Sequence, residues 1–425
     1  MLNLLAFAPA TSSGGFNILN FLTNPIGILI TLFILSLLII IHEAGHYFTA
    51  KWFGIKVEEF GFGLPPRAKG WLKGETIYSI NWLPIGGFVK LFGEDDAGGG
   101  KVNLKDQPNT QPEHVSKADM KRAFFARPAW QRAIVIFAGV LMNALLAFVI
   151  YYAFMFLTDF KTVLPLYNNH KFFGVTQTNH LDGLIINRVS PGSPAEKAGL
   201  KNCSDTYCVR IIAANGTVFQ SSDEFFDVVK RLSGKELYLT LEEMKSHRQF
   251  AITVVPRKNP PKNQGAVGVE LPGIDTVTLE YKTSTQKLLS GIVHPINLMQ
   301  YNYDLIKMLF RKSVKENNFV PISQSVSGPL GILSLGGAIN HIPDLKSRFI
   351  EFLNLAGLLS ISLAFFNVLP IPALDGGRLF FILIEMIFRK KVSPRIENYA
   401  HTVGMAVLIM LILLVTFKDI LSFFH

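Results

Sequence analysis

Hydrophobic and polar positions along the chain alternate between long apolar runs and segments of mixed character. The runs Ile26 to Ala50, Trp130 to Leu157, Phe352 to Ile371 and Val403 to Leu421 are candidate membrane helices, each near or above the roughly 20 residues needed to cross a bilayer. After the first run, Gly61-Phe62-Gly63 and the stretch Thr76 to Leu91 combine β-branched and aromatic residues with turn glycines, a pattern of short strands. Residues 95–119, rich in Gly, Asp, Asn, Pro and Lys, read as a flexible loop. Further on, Gly183 to Leu200 reads as strand, turn and short helix. Val209 to Asn215 and Leu237 to Glu242 then read as strands around a Ser222 to Leu232 helix. From Thr283 to Phe310 the apolar positions recur at helical spacing beside Lys287, Lys307 and Arg311, as in a helix lying on a bilayer surface.

The fold class expected is therefore a multi-pass α-helical membrane protein with four transmembrane helices, a membrane-associated β-hairpin or sheet, and an inserted α+β domain. Its segments divide at 1–50, 51–129, 130–157, 158–282, 283–351, 352–378, 379–402 and 403–425. In this division 283–351 holds amphipathic surface helices, 352–378 holds the third span and 379–402 is a loop. Composition agrees: 49% hydrophobic with 17% charged residues is too apolar for a set of soluble domains and too charged for membrane throughout.

Lysine and arginine set the orientation. Residues 1–24 carry neither, whereas the segment from Lys51 to Arg127 is rich in both, and Arg389, Lys390, Lys391 and Arg395 precede the last span. Positive loops stay cytoplasmic, so both termini and the long middle segment lie outside. The net charge of +10 then needs no nucleic acid to explain it. Met1 to Ala10 is apolar but lacks a basic start and is followed by a full span, unlike a cleaved signal peptide. The two cysteines, Cys203 and Cys208, fall in the outer segment. They form either a short-loop disulfide or a reduced pair, and no clustered His or Cys stands near to complete a metal site.

Candidate chemistry sits at the end of the first apolar run, in His42-Glu43-Ala44-Gly45-His46. On a helix, histidines four residues apart project from one face, so both imidazoles can bind one metal ion while Glu43 reaches the water on it. A chance match of this kind is often a satisfied helix face. Here, however, an ionisable group at a helix centre costs roughly 2.5–3.5 kcal/mol on insertion scales, and the apolar flank offers no other partner. A third ligand is offered by Asp375, in Asn367-Val-Leu-Pro-Ile-Pro-Ala-Leu-Asp-Gly-Gly377, where two prolines interrupt the helix. Two nitrogens and one oxygen would suit one catalytic Zn2+ per chain. The other reading of Asp375 is a turn or helix-cap carboxylate at the interface, which the matching depth of the two elements disfavours.

These motifs together resemble the site-2 protease family of intramembrane zinc metalloproteases, in its bacterial RseP-like branch. The resemblance covers most of the chain. It implies that His42, His46 and Asp375 hold zinc, that Glu43 is the general base and that Asn367 holds substrate. Gly139-Val-Leu-Met-Asn143 matches the family's Gly-Pro-x-x-Asn except that Val140 replaces the proline. Asn143 is then either a substrate contact or a helix-packing residue. The strand region, with Gly61, Gly63, Gly86, Gly87 and Phe88, resembles a sheet that dips into the membrane and clamps substrate by strand addition. From the residues alone, a hairpin on the bilayer surface reads as well.

Ser190-Pro-Gly-Ser-Pro-Ala-Glu-Lys-Ala-Gly-Leu200 resembles a PDZ domain of bacterial proteases, here a single one over about 172–271, whose Gly-Asp turn is replaced by the Cys203 to Cys208 insert. It would bind a peptide or substrate ectodomain, or screen substrates by bulk. Ser327 to Ile332 matches a further family stretch, and His294 and His341 read as interfacial or surface histidines. The implied activity is cleavage of single-span membrane proteins, of the anti-sigma-factor or signal-peptide-remnant type, in regulated intramembrane proteolysis at the bacterial inner membrane and in contact with its lipid. Two alternatives stay open: a cytoplasm-facing zincin with Glu385 as third ligand, and a non-catalytic PDZ scaffold.

Overall fold

The computed structural model describes residues 25–94, 117–167, 170–180, 182–204, 207–219, 221–261, 264–271, 275–317, 328–390 and 392–422. The N-terminal segment, most of the loop expected at 95–119, and Lys391 and Ser327 lie outside the described residues. Four described helices are long and apolar enough to cross a membrane: α1 (Pro25–Trp52), α3 (Ala129–Leu157), α8 (Leu345–Val368) and α10 (Pro394–Ser422). The remaining helices are α2 (Lys117–Lys121), α4 (Pro194–Lys197), α5 (Ser222–Arg231), α6 (Ser284–Glu316), α7 (Pro329–Asn340) and α9 (Asp375–Phe388). This is a membrane protein of mixed helix and sheet.

Small residues let the helices meet closely. A Cβ on Gly45 of α1 would lie 2.5 Å from the Ala138 carbonyl of α3, and one on Gly27 would lie 2.2 Å from the Gly336 carbonyl of α7. Without an apolar driving force between helices in lipid, such close approach is what packs them. α7 thus departs from the surface helix expected within 283–351: it is apolar, and its Ile332 and Leu335 pack with Leu38 of α1 and Phe352 and Leu355 of α8. α6 is longer than expected and begins with a capping box of Thr283 and Gln286.

The third span and the loop after it also differ from expectation. α8 ends at Val368, and Pro370 and Pro372 hold an irregular stretch before α9 starts at Asp375. Residues 379–402 are therefore mostly helix, with α9 and α10 separated by a short link. Ile382 and Leu379 of α9 join a core with Val135 and Ile136 of α3, which draws this helix to the bundle. The link before it is held by α10: His401 Nδ1 accepts from the Ala373 N–H (3.0 Å), and a Cβ on Gly404 would lie 2.4 Å from the Pro372 Cβ.

Strands β1 (Val57–Lys73) and β2 (Thr76–Leu91) are long and bent. Register shifts let each pair twice, giving four sheet segments in the order Gly87–Leu91, Val57–Phe62, Thr76–Asn81, Arg67–Lys73. Lys51 and Arg122 both pair with Glu75 at the turn, at 2.7 and 2.6 Å. The Arg122 hydrogen bond, with Lys51, holds the Glu75 carboxyl down at about 2. β2 lies along α1: Gly86 N–H donates to Ser36 Oγ (3.1 Å), and Cβ atoms on Gly86 and Gly87 would press on Ile39 and Ile40. Ser36 lies sixteen positions before the helix end at Trp52, or roughly 24 Å at 1.5 Å per residue.

Beyond α3, a three-stranded sheet pairs β12 (Thr276–Glu280) with β3 (Lys161–Pro165) and β4 (Thr176–His180). It leads into a domain built on β5 (Ile185–Ile186), β7 (Val209–Ala214), β9 (Leu237–Glu243) and β10 (Gln249–Val254), with the two-residue β8 (Thr217–Val218) beside β7. β6 (Arg188–Val189) pairs β11 (Val269–Glu270). Phe225 and Val229 of α5 pack on Ile211, Leu239 and Leu241 of this sheet. Cys203 and Cys208 are joined in a disulfide. His294 is no surface residue: it is 1% exposed and sits among Tyr151, Phe154 and Tyr281. The periodicity that placed it on a helix did not show which face α3 would cover. His341 is exposed.

Candidate metal centre

The last three turns of α1 carry His42 and His46 into the bundle, both buried, while the first residue of α9 carries Asp375. Asp375 Oδ2 lies 2.8 Å from His42 Nε2 and 3.3 Å from His46 Nε2, and the two Nε2 atoms are 3.1 Å apart. This group of three potential ligands spans 333 residues of chain between its first and last members. Two ligands held at 2.0–2.1 Å from zinc at a tetrahedral angle lie about 3.3–3.4 Å apart. The observed edges run from 2.8 to 3.3 Å, at or somewhat below that length, and the donor set of two imidazoles and one carboxylate is that of a catalytic zinc.

α3 forms the floor of the site. His46 Nδ1 donates to the Val135 carbonyl (2.8 Å), which leaves its Nε2 lone pair facing the group. A Cβ on Gly139 would fall 2.4 Å from His46 Nε2 and 2.9 Å from His42 Cε1. Asn143, fully buried, places its side-chain amide 3.3 Å from His42 Nδ1, and Ser360 Oγ of α8 donates to the Asn143 carbonyl (2.8 Å).

Glu43, beside the two histidines, has Oε2 accepting from the Val89 N–H (3.0 Å). Among the described residues Val89 pairs with Phe60 alone, so within them the Gly87–Leu91 segment is a sheet edge, with its Val89 N–H turned toward Glu43. Of the sheet residues singled out in the sequence, Gly86 and Gly87 are buried against α1. Phe88 and Gly61 are paired, with the Phe88 ring over Gly61, so this ring covers the neighbouring strand and not the ligand group. Gly63 has φ +81°, and its carbonyl accepts from Asn81 Nδ2 (2.9 Å). Asn367 is in the last turn of α8, partly exposed, and makes no hydrogen bond to the His–Asp group among the described residues. Glu385 is taken: it pairs with Arg132 Nη2 at 2.6 Å. That removes the carboxylate on which the alternative zincin reading depended.

The sequence reading missed Ser36, Gly139 as a floor, and His401. Ser36 was visible as a lone polar residue in an apolar run, whereas a supporting glycine and a histidine of the last span carry no local signal.

A membrane bundle with two buried histidines and a partly buried aspartate grouped beside a glutamate defines a class, the membrane-embedded metallopeptidases. Comparison with known proteins gives the family: residues 30–411 match the model of peptidase family M50, and the chain belongs to that family, the site-2 proteases. The chain is 29% identical, over 93% of its length and 98% of the relative's, to a Clostridium perfringens protein whose name carries the words zinc metalloprotease. It is similar to the zinc metalloproteases RasP of Shouchella clausii (29% identical; 92% of this chain, 98% of the relative) and Geobacillus kaustophilus (27%; 91% and 96%).

Proposed function

We propose that this protein is a zinc-dependent endopeptidase that cuts single-span membrane proteins in or beside their spans. The observation that carries the reading is the convergence of His42, His46 and Asp375 next to Glu43 and a strand edge that is unpaired among the described residues. A zinc ion held by the three ligands would supply Lewis-acid activation of water and of the scissile carbonyl. Glu43 takes the proton from the attacking water and returns it to the leaving amine. The Val89 N–H that now occupies Glu43 belongs to the edge a substrate strand would join, so strand addition and release of the base are linked.

A helical substrate hides its carbonyls in its own hydrogen bonds, and adding to the Gly87–Leu91 edge draws it into extended form. The close packing of β2 on α1 as far as Ser36 supports a sheet that dips below the bilayer surface. Asn367 lies where the chain leaves α8 for the ligand loop, and it steadies the incoming strand. The charge asymmetry supports cytoplasmic placement of the β1–β2 region, with the termini and the β5–β10 domain outside. That domain acts as a single PDZ module that binds or screens substrate ectodomains before regulated intramembrane proteolysis. Substrates are of the anti-sigma-factor or signal-peptide-remnant type.

The test is co-expression with candidate single-span proteins stripped of their outer domains, comparing the parent with Glu43→Gln. The reading expects a shortened product with the parent alone. Equal processing by both, or cleavage of soluble casein at the same rate as membrane substrates, overturns it.

A further inference from the structure

We infer that Asn143 is a positioning residue for the metal centre, its Oδ1 fixing the ring of His42 by accepting from Nδ1–H. The inference rests on the ligand set proposed above.

His42 turns Nε2 toward Asp375 Oδ2 and His46 Nε2. A neutral imidazole that offers Nε2 as a ligand carries its proton on Nδ1, and that proton needs an acceptor. The group facing Nδ1, at 3.3 Å, is the Asn143 side-chain amide, and its Oδ1 is buried without a hydrogen-bond partner among the described residues. Oxygen and nitrogen of an amide occupy equivalent positions. Turning this one over puts Oδ1 on Nδ1–H, gives the orphaned oxygen its partner and frees the Nε2 lone pair. The other orientation would press an N–H donor on Nδ1 and force the proton onto Nε2, the atom 3.1 Å from His46 Nε2.

His46 already shows the same arrangement, its Nδ1 on the Val135 carbonyl. Val135, Gly139 and Asn143 recur every four residues on α3, and such residues share a helix face. One stripe therefore supplies the acceptor for His46, the bare floor beneath both rings and the acceptor for His42. Ser360 fixes the stripe's far end by donating to the Asn143 carbonyl, and a side-chain substitution leaves that bond in place. A substrate contact, one of the two roles read from the sequence, would instead use the amide N–H as donor to a peptide carbonyl.

Aspartate separates the two roles, because it keeps the acceptor and lacks the donor. Zinc affinity of the purified full-length protein is measured by chelator competition, and KM and kcat are measured on a single-span reporter. Asn143→Asp is expected to hold zinc within about threefold of the parent, whereas Asn143→Ala and Asn143→Leu lose about 10- to 100-fold, as for other groups behind a ligand. Weak zinc binding by Asn143→Asp overturns the inference. So does parental zinc affinity in Asn143→Ala with only KM raised, which assigns the residue to substrate. His42→Ala serves as the reference: stoichiometric zinc in that variant means the ligand set itself is wrong, a failure distinct from either of these.

Discussion

Gly139→Ala reverses the usual sign of a helix substitution. Alanine is favoured over glycine inside a helix by about 0.8–1.0 kcal/mol, so on propensity alone α3 gains stability. At this position the added methyl would sit 2.4 Å from His46 Nε2, 2.6 Å from His46 Cε1 and 2.9 Å from His42 Cε1. Carbon contacts settle near 3.5–4.0 Å, so the His46 ring must retreat by about 1 Å and the His42 ring by about half that, or the helices must part. Overpacking of this kind costs about 1–3 kcal/mol, which offsets the propensity gain. The larger effect falls on chemistry, because a displacement of about 1 Å in a catalytic constellation costs on the order of 100-fold. The assay is zinc content of the purified variant together with kcat on a single-span reporter. Parental zinc affinity and parental kcat in Gly139→Ala would refute the packing of α3 beneath the imidazoles.

Four further outcomes are expected. Glu43→Gln keeps zinc by metal analysis yet loses about 100- to 10,000-fold in cleavage, the range for a general base; parental cleavage sinks the assignment. Asp375→Asn fails to retain stoichiometric zinc after dialysis, and retention removes Asp375 from the ligand set. Ala373 holds φ +78° in the link before α9, where L residues are strained by roughly 1–2 kcal/mol, so Ala373→Gly raises the melting temperature, and a fall contradicts that strain. Burial pushes His294 down to about 3 from 6.5. The unfolded chain then takes up this proton first, and stability falls as pH drops from 6.5 toward 3, by about 2 kcal/mol at pH 5. His294→Gln removes that share of the acid loss, and an unchanged pH slope in the variant contradicts the buried neutral histidine.

The elements at the centre were legible because they break a local rule. His42, Glu43 and His46 are costly at the end of an apolar run, and Asp375 follows a proline-broken stretch. Span ends moved by several residues, as at α8, which begins at Leu345, because helix ends are set by caps such as Asp344, whose carboxylate accepts from the Ser347 N–H (2.8 Å), and not by hydropathy. α9 was hidden between Pro372 and the basic Arg389–Lys390 pair, both of which speak for a loop. Its helical state comes from packing Leu379 and Ile382 on α3. The double register of β1 and β2 follows from bulges and contact with α1, and neither is written in the alternation of residues. α7 was misread for the same reason: its Gly336 matters only because Gly27 and Thr31 of α1 press against it.

X-ray absorption at the zinc edge of the zinc-loaded protein tests the central claim most directly. Two imidazoles and one carboxylate oxygen are expected, at metal–ligand distances of about 2.0–2.2 Å, the oxygen contribution from the protein vanishing in Asp375→Ala and one imidazole contribution in His46→Ala. A spectrum with a single imidazole, or one left unchanged by both substitutions, contradicts a metal shared between α1 and α9.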